Sequence, residues 1–170
     1  MPQDRPPDRQ NKQQMIRIES GDGRQFLVYT AAAFMSDLVR NTVEDVGMVD
    51  EAIVLPNVRG DVLAKVVEYC TYHKDDARIF SSSVPDIVQD DRVVDAWDNR
   101  FMAVDDALML EILVAADYMS IEPLVELGCT VIAKIIRFME PEDIRQRYSI
   151  EDDFTDEQRS HIEREMAQLR

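Results

Sequence analysis

The chain has 170 residues, 45% hydrophobic and 31% charged, a balance that suits one folded domain with appendages rather than a disordered chain. Its 34 acidic and 19 basic side chains leave a net charge of −15. Charge of that sign repels phosphate backbones and anionic membrane surfaces, so nucleic acid and membrane are excluded as direct partners. The acidity either keeps the chain soluble or selects basic protein partners. No apolar run approaches the roughly 18 residues of a membrane span. Residues 1–14 are polar and proline-bearing, without the apolar stretch of a secretory signal, and read as a disordered tail. The two cysteines, Cys70 and Cys129, both lie in apolar helical patterns, which predicts buried packing and a reducing compartment rather than a disulfide.

In chain order, Met15 to Ser20 and Gln25 to Tyr29 alternate apolar and polar residues around Gly21-Asp22-Gly23, the pattern of a β-hairpin. Thr30 is placed to cap one helix running to about Asn41. A short strand over Ala52 to Leu55 is ended by Pro56, and Asp61 to His73 is a helix with Val62, Val66, Tyr69 and Cys70 on one face. Residues 74–95, rich in Asp and Ser, read as a mobile acidic loop. Beyond Trp97, Asp105 caps a helix whose stripe is Leu108, Ile112, Ala115, Ala116 and Met119. The next helix, Ile121 to Met139, has Pro123 in its first turn and apolar residues all round, which predicts a central element covered on both sides. A short helix follows Pro141. Thr155 and Gln158 form a capping box for a last helix with Ile162, Met166 and Leu169 on its stripe. These two short helices carry too few apolar residues for a core of their own. They either cover part of the central helix or wait for a partner.

A search for chemistry finds none. His73 and His161 lie far apart in sequence, neither cysteine has a CxxC partner, and the Asp pairs sit in loops or at helix starts, where they cap and solvate. There is no nucleophile elbow, phosphate loop or dinucleotide fingerprint. The prediction is a chain that is no enzyme and uses no cofactor and no metal.

Six blocks carry a resemblance. Val54-Leu55-Pro56-Asn57-Val58, then Tyr69-Cys70-Thr71 with His73-Lys74-Asp75-Asp76, then Trp97-Asp98 before Phe101, resemble the Skp subunit of SCF (Skp–cullin–F-box) ubiquitin ligases. So do Ala115-Ala116-Asp117-Tyr118 with Ile121, Pro141-Glu142-Asp143-Ile144-Arg145, and Asp153-Phe154-Thr155. The likeness runs in order over residues 15–168. It implies an α+β, mostly helical fold: a BTB/POZ core of about three short strands plus helices over residues 15–139, and two added C-terminal helices over 140–170. It also implies a non-catalytic adaptor, in the cytoplasm and nucleus, that bridges a cullin N-terminal domain to F-box proteins; a weak homodimer is compatible with it. Asp117, Tyr118 and Ile132 fall at cullin-facing positions. Ile136, Ile144, Tyr148, Ile150, Phe154, Ile162, Met166 and Leu169 fall in the F-box-facing region. Asp117 stands where the family usually has Asn, Gln168 where a Trp often packs on the F-box, and Glu140 where a Thr often caps the next helix. Pro141 aligns with a proline that some protist relatives hydroxylate and glycosylate. The alternative is an elongin-C-like or other BTB-class module of a different complex, though such relatives generally stop near the end of the long helix.

Overall fold

The computed structural model describes residues 14–47, 51–76 and 94–168. The N-terminal tail up to residue 13, most of the acidic loop and Leu169 lie outside the described residues, as does the side chain of Met166. The chain divides into two compact units, Met1–Val131 and Ile132–Arg170.

The first unit begins with strands β1 (Met15–Ser20) and β2 (Gln25–Tyr29), antiparallel and in the register Ile16 opposite Val28 and Ile18 opposite Phe26. The turn between them needs its glycines. A Cβ on Gly21 would stand 2.2 Å from the Pro56 carbonyl oxygen, and Gly23 holds φ at +81°. The Gly21 N–H donates to the Val58 carbonyl, and buried Ser20 donates its hydroxyl to Asp22, so the hairpin end is tied to the segment after the third strand. That strand, β3 (Ile53–Leu55), pairs parallel to β1, giving the order β2-β1-β3.

Between β2 and β3 the expected single helix is two. α1 (Thr30–Ala33) is followed by a break at residues 34–36 and then α2 (Asp37–Val46). Thr30 is not a cap: it lies inside α1, buried, and its hydroxyl donates to the Gln14 carbonyl. The cap that governs this region is Ser36, whose Oγ accepts from the Val39 N–H at 3.2 Å. A helix start in mid-segment explains the break, because a cap residue holds extended backbone angles.

α3 (Gly60–His73) buries Val62, Leu63, Val66, Tyr69, Cys70 and His73. Burial pushes the Cys70 thiol up to about 12. A further short helix not expected from the sequence, α4 (Ala96–Phe101), is capped by Asp95. It joins α3 through aromatic packing: Trp97 stacks between Tyr72, 3.9 Å away, and Phe101, 5.1 Å away. His73 is structural, with Nε2 2.9 Å from an Asp98 carboxylate oxygen. α5 (Asp106–Tyr118) is capped by Asp105 as its sequence implies, and buries Met109, Ile112, Ala115 and Ala116.

α6 (Glu122–Ile136) ends three residues before the expected Met139 and runs across the division between the units. It is not the covered central helix that its composition predicts. Only Leu124 and Gly128 are buried, and Cys129 is exposed rather than packed. The second unit continues with α7 (Pro141–Tyr148) and α8 (Asp156–Gln168).

Candidate docking surfaces

One surface is a cleft of about 310 Å³ in the first unit. Leu38, Thr42, Val43 and Val46 of α2 and Gly47 just after it form one wall, Glu51, Ala52 and the β3 residues Ile53, Val54 and Leu55 another, and Tyr118 closes it from the end of α5. Val46 is 65% exposed and Val54 55% exposed, so apolar side chains of the cleft are open to solvent. The placement of Tyr118 beside α2 follows from Ser36. Its hydroxyl, buried, donates to the Met119 carbonyl at 2.6 Å while accepting the cap hydrogen bond from Val39. One side chain thus fixes the start of α2 against the α5–α6 turn, where Ser120 holds φ at +53°. Of the residues expected to face a cullin, Tyr118 is half-buried in the cleft and Asp117 is exposed beside it, while Ile132 lies half-buried in the second unit. Sequence reasoning missed the facing wall. The available sign was Val54, an apolar residue at the outward register position of its strand.

The second unit is dominated by exposure. Phe138 is 87% exposed, Ile150, Phe154 and Ile162 are exposed, and Ile136, Ile144 and Tyr148 are only half-buried. α7 buries no residue at all. Pro141 is exposed at its start, and Glu140, in the cap position, makes no side-chain cap hydrogen bond, as the substitution of Glu for a good cap predicts. α7 ends at Ser149, whose φ of +53° is the left-handed C-cap conformation. The loop to α8 is held by charge. Arg159 donates to Asp152 at 2.8 Å, with Arg145 4.0 Å from the same carboxylate, and the hydrogen bond from Arg159 holds the Asp152 carboxyl below the usual range. The capping box forms as expected: the Thr155 N–H donates to Gln158 Oε1 at 2.9 Å, and the Gln158 N–H to Thr155 Oγ1 at 3.3 Å. The Tyr148 hydroxyl is buried and has no hydrogen-bond partner among the described residues.

Among the described residues no group of three or more His, Cys, Asp or Glu side chains could hold a metal ion, and no helix is long and apolar enough to cross a membrane.

Residues 14–75 match the tetramerisation domain of the Skp1 family, and residues 122–168 match its dimerisation domain. The chain is 40% identical over 151 residues to the suppressor of kinetochore protein 1 of Schizosaccharomyces pombe, which covers 88% of this chain and 94% of the relative. The chain belongs to the Skp1 family. Other relatives of this Skp1-family chain are E3 ubiquitin ligase complex SCF subunits sconC: that of Talaromyces marneffei at 37% identity over 150 residues, 88% of this chain and 93% of the relative, and that of Aspergillus fumigatus at 39%, 88% and 94%. The first matched domain takes in α3 and ends before α4, and the α+β, mostly helical fold fits the family's POZ domain.

Proposed function

We propose that the chain is a non-catalytic adaptor of an SCF-type ubiquitin ligase, acting in the cytoplasm and nucleus, which holds a cullin scaffold with its first unit and F-box receptors with its second. The observation that carries this reading is that apolar side chains are left uncovered in each unit: those lining the cleft closed by Tyr118 in the first, and Phe138, Ile150, Phe154 and Ile162, each exposed, in the second. An adaptor needs two such surfaces, because each partner must gain burial the free chain lacks. The names of the fungal sconC relatives support the same assembly. In this reading Asp117 and Tyr118 of the first unit serve the cullin; Ile132, expected at a cullin-facing position, belongs to the second unit and does not line the cleft; Ile136, Ile144, Tyr148, Ile150, Phe154, Ile162, Met166 and Leu169 serve the F-box, and exposed Pro141 is a candidate for modification.

Two double substitutions test the division of labour. Asp117→Lys with Tyr118→Lys removes the half-buried ring and puts charge on the cleft; at roughly 1.5–3 kcal/mol for a buried side chain, cullin affinity should fall about tenfold to a hundredfold or more. F-box binding should persist. Ile150→Ser with Ile162→Ser should do the reverse. Loss of both partners from either variant, with the melting temperature unchanged, would contradict the assignment.

A further inference from the structure

The cleft is apolar inside and acidic outside. Residues 36–47 and 51–55, which carry two of its walls, contain one cation, Arg40, against the four carboxylates of Asp37, Glu44, Asp45 and Glu51. Arg40 is already engaged, 2.8 Å from Asp37 and donating to the Phe34 carbonyl. Glu44, Asp45 and Glu51 are exposed on or beside the lining residues, Asp117 is exposed next to Tyr118, and none of these four has an ion pair among the described residues. A cavity of about 150 Å³ holds one benzene-sized group, so about 310 Å³ has room for about two large apolar side chains.

We propose that the occupant of this cleft is a segment of the scaffold partner with two large apolar anchors flanked by Lys or Arg, and that the acidic rim selects it. This rests on the reading of the first unit as the scaffold-binding one. The apolar anchors supply the held state by leaving water. The exposed rim charges act earlier, raising the rate of encounter and disfavouring acidic competitors, since solvated charges at a rim change association rate and salt dependence more than dissociation. Among the described residues of these walls the one cation, Arg40, is paired with Asp37, which leaves the rim negative.

The experiment uses the full chain and a cullin N-terminal domain, with association followed by stopped flow between about 50 and 500 mM NaCl, a range over which the screening length falls to a few ångströms. For the unaltered chain the association rate constant should drop about tenfold or more across that range. The variant Glu44→Gln, Asp45→Asn, Glu51→Gln should start about tenfold slower at low salt and show a nearly flat salt dependence, with its dissociation rate changed less than its association rate and its melting temperature and F-box affinity unchanged. Glu68→Gln, an exposed acid on α3 outside the cleft, should behave like the unaltered chain. Binding that is insensitive both to salt and to the triple change would overturn the rim's role while leaving the scaffold reading intact. No cullin binding at any salt would overturn both.

Discussion

Ser36→Ala removes one oxygen atom, and the geometry gives its expected cost. The Val39 N–H loses its cap acceptor, worth about 1 kcal/mol for Ser at a helix N-cap. The Met119 carbonyl loses a donor at 2.6 Å in a buried place; an unsatisfied buried group costs about 1–3 kcal/mol. The Leu38 N–H, 3.4 Å from the same carbonyl, relieves part of that, so the lower end applies and the total is about 2 kcal/mol. With a urea slope of about 2 kcal/mol/M, the midpoint of unfolding should move down by about 1 M. Circular dichroism during urea titration measures this directly. Because Ser36 sets α2 against the turn that carries Tyr118, cullin affinity should fall as well, even under conditions where the variant is fully folded, whereas F-box affinity should hold. A midpoint within about 0.2 M of the unaltered chain would refute the hydrogen-bond reasoning, since that is less than a single cap is worth.

Three further outcomes are expected. With DTNB under native conditions Cys129, exposed, should react in seconds, while Cys70, buried with its thiol held near 12, should react only on unfolding; two fast thiols would contradict the burial of α3. Tyr148→Phe deletes a buried hydroxyl without a partner among the described residues, so the free chain should be unchanged or more stable by up to about 1 kcal/mol in urea unfolding, and a loss of more than that would mean the hydroxyl is bonded. Asp152, its folded pKa depressed by Arg159, stabilises the loop before α8 above the ordinary carboxylate pKa of about 4, and this is lost as pH falls through the folded value. Amide exchange, corrected for its intrinsic pH dependence, should therefore show reduced protection of residues 152–160 below about pH 4 in the unaltered chain, and reduced protection already at neutral pH in Asp152→Asn.

The parts of the fold that were legible have local causes. The hairpin rests on period-two alternation around two glycines, and the α5 and α8 starts rest on Asp105 and on the Thr155–Gln158 box, all within a few residues of what they organise. The break before α2 was hidden because residues 30–41 are apolar enough to read as one helix, and only the tertiary bond from Ser36 to Met119 shows which of Thr30 and Ser36 is the cap. α4 is too short for periodicity to reveal it, and it is held by rings on α3. At α6 composition misled: apolar residues all round predict burial, yet only Leu124 and Gly128 are buried. Tyr118 was legible at the end of an amphipathic helix. Val43, Val46 and Val54 were not, because the cleft exists only once α2, β3 and α5 meet.

The most direct measurement of the adaptor claim is a three-component one. A cullin N-terminal domain is immobilised, an F-box protein is passed over it with and without this chain, and the eluted complex is weighed by light scattering. The account predicts no retention of the F-box protein alone, strong retention once the chain is present, and a mass equal to one copy of each component. Equal retention without the chain, or displacement of the cullin when the F-box protein is added, would contradict it.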